Sequence, residues 1–197
     1  MDKPKTILLA SGNPHKIEEL SQVLNPLGID LKSTRNFEDA EEVIEDKPDL
    51  EGNALKKARY WHQFTRLPSL ADDTGLEVDE LDGAPGVYSA RYAGEGVTYD
   101  DNVNKLLKEL SGKNNRTALF RTVVAFVTDT GEHLFEGICK GEIISEKRGE
   151  KGFGYDPVFV PEGYTQTFAE LSSDEKNRIS HRGRAVEKFI KFISSEA

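Results

Sequence analysis

Two adjacent carboxylates, Asp72 and Asp73, stand where a short apolar run ends at Leu70-Ala71 and the sequence passes to Thr74-Gly75. The run reads as the end of a buried strand and Gly75 as the point where the chain reverses, which would hold at least one carboxylate at a sheet edge. Carboxylates so placed suit Mg²⁺ and phosphate chemistry, because a hard cation takes oxygen ligands and bridges them to phosphate oxygens. Asp-Asp-Thr-Gly is also ordinary turn composition, so the pair alone does not decide between a site and an acidic turn.

Four other segments bear on that choice. Ser11 to Lys16 (SGNPHK) is a turn cluster running into a helix, where backbone N–H groups and the helix dipole favour an anion and Lys16 adds a charge one turn in. Its spacing is not G-x-x-x-x-G-K-[ST], so it is not a P-loop. Glu51 to Arg59 places Asn53 and Lys57 at i, i+4 on one helix face. Lys57 would reach a phosphate and Lys56 would face solvent, although two lysines on a solvated face is the simpler reading. Glu41 and Glu42, just before, either ligate a metal or belong to a plain acidic loop.

Gly152 to Pro157 (GFGYDP) sets two glycines and two aromatics around one Asp, which suits either close approach to a nucleobase or a tight turn that fills the core. Ser172 to Arg184 (SSDEKNRISHRGR) opens on a capping box, Ser172 with Glu175, and Ser180 is a second candidate cap. A break at Ser180 would gather Lys176, His181 and Arg182 near one helix N-terminus, fit for a phosphate or a carbonyl-bearing base. An unbroken helix would scatter them.

The elements that must position these residues follow from periodicity. Thr6 to Ala10 predicts a buried strand; Ile17, Leu20, Val23, Leu24 and Leu27 predict the helix after the turn. Asp30 to Ser33 is a possible second strand, and the acidic stretch Glu38 to Asp49 has no clear period. Helices are predicted over Gly52 to Phe64 and Asp100 to Leu110, and a last one carries Val186, Phe189, Ile190 and Ile193. Ala118 to Thr128 and His133 to Lys140, joined through Asp129-Thr130-Gly131, predict a hairpin. Interleaved elements followed by long strands imply an α/β protein with a mixed sheet and flanking helices.

Composition narrows the partners. A formal net charge of -9 over 197 residues argues against wrapping a nucleic acid polymer. The basic excess is local: five of the nine positions from Lys176 to Arg184 are Lys, Arg or His, which suits a small anion. No apolar run approaches the roughly 20 residues needed to cross a bilayer, and the apolar part of the start is too short for a secretory signal. With a single cysteine, Cys139, and hence no internal disulfide, the expected location is cytoplasmic.

Taken in order, Ser11 to Lys16, Ala71 to Gly94, Gly152 to Pro157 and Phe168 to Ala185 resemble the inosine triphosphate pyrophosphatase family over nearly the whole chain. The resemblance implies one domain over residues 1–197 with an elongated mixed sheet in two lobes around a nucleotide cleft, usually as a homodimer. It implies Mg²⁺-dependent hydrolysis of ITP, dITP and XTP to the monophosphate and pyrophosphate. Carried onto this chain, Ser11, Gly12, Asn13, Pro14, His15 and Lys16 meet the triphosphate. Asp73 is the acid-base or metal carboxylate and Thr74 touches substrate. Phe153, Gly154, Tyr155, Asp156, Lys176, His181 and Arg182 line the purine pocket, and Glu42 matches a metal ligand. Gly52 stands where many members have Glu, and Asp72 where many have Glu. A pyrophosphatase for other modified nucleotides and a nucleotide-binding regulatory module without turnover are the competing expectations.

Overall fold

The computed structural model describes residues 4–37 and 39–195, so Glu38, the first residue of the acidic stretch, lies outside it. Among the described residues there are five α-helices: α1 (Pro14–Leu24), α2 (Leu50–Thr65), α3 (Tyr99–Glu109), α4 (Ser173–Ile179) and α5 (His181–Ser195). The strands are β1 (Thr6–Leu9), β2 (Asp30–Ser33), β3 (Ser69–Val78), β4 (Pro85–Gly86), β5 (Thr117–Thr128), β6 (Gly131–Ile143) and β7 (Phe159–Pro161). They order as β2-β1-β3-β5-β6-β7, with β4 paired to β3. The sheet is mixed: β1 pairs β2 and β3 in parallel, whereas β3–β4 and β6–β7 are antiparallel.

The chain divides into two compact units. The first comprises residues 1–73, 122–136 and 185–197, and the second 74–121 and 137–184. The first unit's core is aliphatic at β1 (Ile7, Leu9) and α1 (Leu20, Leu24), and closes with Phe126 of β5 and Phe189 of α5. Those α1 and α5 residues are the 3.6-period stripes visible in sequence. The second unit's core joins Leu76 and Val78 of β3, Val103 and Leu106 of α3, and an aromatic group of Phe120, Phe159 and Phe168.

One expectation fails. The chain does not reverse at Gly75: β3 runs unbroken from Ser69 to Val78, and Asp72 and Asp73 are buried within it. Gly75 serves close packing, since a Cβ there would lie 2.8 Å from the carbonyl oxygen of Gly86 in β4. The acidic turn is thereby excluded, and the two carboxylates occupy strand positions whose side chains leave opposite faces of the sheet.

Candidate active site

In the first unit, β1 delivers the chain into the Ser11–Lys16 turn. Asn13 caps α1, its side chain accepting from the His15 N–H at 3.0 Å, and Pro14 opens the helix where a missing N–H costs nothing. The Asn13 N–H donates to Ser11 Oγ at 3.1 Å, and the Ser11 N–H to the Leu9 carbonyl at 2.8 Å. Three of the turn's N–H groups are thus already engaged, two within the turn and one with β1, and attraction for an anion rests more on side-chain cations than the sequence implied. One of these was missed: the exposed Arg35 donates from Nε to the Gly12 carbonyl at 2.9 Å, holding a guanidinium beside the turn. Nothing in the isolated segment Thr34-Arg35-Asn36 marks it.

Lys16 reaches Asp72, Nζ to Oδ1 at 2.9 Å. Lys57, expected on a solvated face, is only 9 % exposed. Its Nζ lies 2.5 Å from Glu45 Oε1, 2.8 Å from the Asp72 carbonyl oxygen and 3.4 Å from Asp73 Oδ1. The signal was present: Lys57 lies on the buried stripe of Leu50, Asn53, Ala54, Ala58 and Trp61, where a lysine has to have acidic company. Burial alone would lower its pKa, but Asp73, Glu45 and Asp72 together raise it above the ordinary lysine value. Lys56 instead spans to the Ile44 carbonyl and Asp46, both at 2.8 Å.

Asp73 is 8 % exposed, and its Oδ2 is buried without a hydrogen bond among the described residues. Burial raises its pKa above the ordinary carboxylate value; Lys57 opposes this, Glu45 adds to it, and Lys16 and Asn53 pull it down. Such a carboxylate is poised to take a proton or a cation. Glu45 was not singled out in sequence, because the acidic loop carrying it has no period to rank its carboxylates. Glu42 is exposed and lines a cavity of about 410 Å³ together with Ser11, Gly12 and Lys57.

Among the described residues no three His, Cys, Asp or Glu side chains form a ready-made metal cluster. The donors nevertheless fit Mg²⁺, which takes one or two carboxylates and completes its shell with water and substrate phosphate. Asp73 would supply one such oxygen, and Glu42 or Glu45 a second.

The second unit holds the other group. The capping box of Ser172 and Glu175 starts α4, Ser180 ends it, and α5 begins at His181, so the chain breaks where the sequence suggested. Asp156 is buried, and its Oδ2 accepts from Lys176 Nζ and from the Phe153 N–H, both at 2.8 Å. Lys176 Nζ stands 4.9 Å from the Phe153 ring centre, and the Arg182 guanidinium 5.4 Å from it. Arg182 also approaches Thr74 Oγ1 at 3.5 Å. His181 stacks on Phe120 with ring centres 4.5 Å apart. Tyr155 turns into the core and donates its hydroxyl to the Ser89 carbonyl at 2.8 Å, so packing takes up that side chain. Gly152 is needed on two counts: its φ is +75°, and a Cβ would lie 2.1 Å from Asp156 Oδ2. Tyr99, unremarked in sequence, sits 6.0 Å from Phe153.

A half-buried ring flanked by two cations and a carboxylate suits a flat, polar heterocycle. The first unit's lysines and open carboxylate suit phosphate with a divalent cation.

A sequence profile described as the Ham1 family matches residues 7–192. The chain belongs to the Ham1 family. The dITP/XTP pyrophosphatase of Desulfotalea psychrophila is 50 % identical over 181 residues, covering 91 % of this chain and 81 % of that protein. The dITP/XTP pyrophosphatase of Porphyromonas gingivalis is 49 % identical over 192 residues, covering 95 % and 96 %. Among solved structures, the Ham1 protein of Staphylococcus aureus superposes with a TM-score of 0.89 at 35 % identity, over 98 % of this chain and all of that one. The Ham1 match bears out the resemblance drawn from the four motifs, and the superposition bears out a mixed α/β fold.

Proposed function

We propose that this chain is a dITP/XTP pyrophosphatase, hydrolysing the nonstandard purine nucleoside triphosphates ITP, dITP and XTP at the α-phosphorus to the monophosphate and pyrophosphate. The observation that carries the reading is the Asp73–Lys57–Glu45 cluster, in which Asp73 and Lys57 are buried and Asp73 Oδ2 is open. A regulatory module has no use for such a group beside a triphosphate, because surplus buried carboxylates repel it unless a cation and a reaction call for them. The names of the relatives support the substrate class.

In the reaction proposed here, Asp73 Oδ2 accepts a proton from a water molecule as its oxygen bonds to the α-phosphorus. The bond from that phosphorus to the β-bridging oxygen breaks, and pyrophosphate leaves. Lys57 and Lys16 offset the charge that develops on phosphate oxygens, where preorganised cations outside bulk water act most strongly. Ser11, Gly12, Asn13, Pro14, His15 and the exposed Arg35 border the triphosphate. Mg²⁺, held by Asp73 with Glu42 or Glu45, would supply charge neutralisation of the leaving group. The purine lies at Phe153, with Lys176 and Arg182 donating to the 6-oxo group and Thr74 in reach of substrate. His181 and the Gly154–Asp156 segment shape that pocket. Adenine presents a 6-amino donor to these donors and is refused.

The two-lobed domain over residues 1–197 with a nucleotide cleft, the elongated form and the homodimer belong to this proposal, as the resemblance implies. The single buried Cys139 supports a reducing, cytoplasmic setting. The test is product analysis with XTP, dITP, ITP, ATP and GTP in Mg²⁺ against an EDTA control. Pyrophosphate from XTP and dITP with ATP nearly untouched is expected. Orthophosphate as product, or binding without turnover, would overturn the assignment.

A further inference from the structure

Asn53 is fully buried in α2, one turn before Lys57, and its two amide ends serve different neighbours. Its Oδ1 accepts the Lys47 N–H at 2.9 Å, tying the acidic loop to the helix two residues beyond Glu45. Its Nδ2 makes no hydrogen bond among the described residues, nor does the buried Oδ2 of Asp73. Lys57, at i+4 on the same buried helix face, brings its Nζ to 3.4 Å from Asp73 Oδ1, so the Asn53 amide stands on the side of α2 that faces the same carboxylate. A buried donor left idle costs about 1–3 kcal/mol, so a neutral apolar residue would suit a merely structural position better.

Resting on the function proposed above, we infer that Asn53 is a positioning residue: its carbonyl holds the loop that brings Glu45 onto Lys57, and its NH₂ is aimed at the carboxylate of Asp73. The side chain thereby couples loop placement to the orientation of the reacting carboxylate without touching substrate. Lys47 is itself exposed and Asp49 caps α2 independently through the Gly52 N–H at 2.7 Å. Loss of the Asn53 contact therefore frees the loop without unravelling the helix.

Two variants separate the two ends. Asn53→Ala removes both, and Asn53→Asp keeps an acceptor for the Lys47 N–H but turns a carboxylate toward Asp73. Hydrogen exchange of the peptide covering residues 43–48 is measured alongside melting temperature and XTP turnover. Asn53→Ala should speed loop exchange about five- to tenfold and lower kcat about 10- to 100-fold with KM within threefold. Asn53→Asp should leave loop exchange near wild type yet lose kcat to a similar extent. Unchanged loop exchange in Asn53→Ala, or full kcat in Asn53→Asp, would overturn the inference. A wild-type protein inert toward XTP would overturn the function, while the exchange result would still judge the loop contact.

Discussion

Lys57→Met tests whether the cluster is held by the lysine. The substitution keeps the volume of the stem but removes the charge that faces Glu45, Asp73 and the Asp72 carbonyl at 2.5, 3.4 and 2.8 Å. Removing one partner of a buried ion pair costs about 3–5 kcal/mol. Here the Glu45 side chain is 29 % exposed and can turn to water, which leaves Asp73 and the Asp72 carbonyl stranded and puts the expected loss at about 2–3 kcal/mol. At about 2–4 °C per kcal/mol for a chain of this size, the melting temperature should fall by roughly 4–12 °C. Because the Lys57 pKa is raised, its contribution is complete below the ordinary lysine value and fades only as pH climbs through the folded value. The deficit should therefore be constant from neutral pH to about 10. Calorimetric melts and pyrophosphate release are the assays, with turnover reduced about 100- to 1,000-fold. Adding Asp73→Asn should restore much of the stability and none of the activity. A melting temperature within 1 °C or so of wild type, or no recovery in the double variant, would refute the reasoning.

Asp73→Asn alone should raise stability by about 1 kcal/mol near neutral pH while abolishing turnover, the usual opposition of stability and activity at a buried charged site. Its sign follows from the raised Asp73 pKa: ionising the buried carboxylate costs the wild type stability as pH rises from about 3.8 through the folded value, so the advantage should vanish in acid melts. Gly152→Ala forces a side chain into a positive-φ position and against Asp156 Oδ2. It should cost about 1–3 kcal/mol in denaturant titrations and raise the KM for XTP about tenfold. Asp156→Asn keeps an acceptor for the Phe153 N–H but removes the carboxylate charge that faces the buried Lys176, lowering stability by about 2 kcal/mol, with KM rising more than kcat falls.

The fold was legible wherever one face of an element is apolar and the other is not. The α5 stripe and the β5–β6 hairpin fall where they are predicted, since burial enforces period, whereas α1 ends at Leu24 and the last predicted position, Leu27, lies in a separate turn after it. β3 was misjudged because Asp72, Asp73 and Gly75 look like turn residues. They lie inside a strand because β4 approaches Gly75 and because Lys16 and Lys57 meet the two acids. Both compensations come from residues at least 11 positions away, beyond any local window. The capping box at Ser172 and the break at Ser180 were readable because a cap is a local interaction.

The site was legible as residue types and not as pairings. Asp72 and Asp73 are indistinguishable in sequence, yet the strand sends them to different partners. Asp72 closes on Lys16 at 2.9 Å, while Asp73 keeps one buried oxygen open. An ion pair that is already complete has little left to give a substrate, whereas a buried carboxylate with an empty acceptor and a raised pKa gains by taking a proton or a cation. The ion pair of Asp72 with Lys16 is what favours Asp73 for the acid-base role proposed above. The asymmetry also explains why Lys57 sits on a buried helix stripe: unless a cation stands against it, the open carboxylate could not remain ionised at that depth.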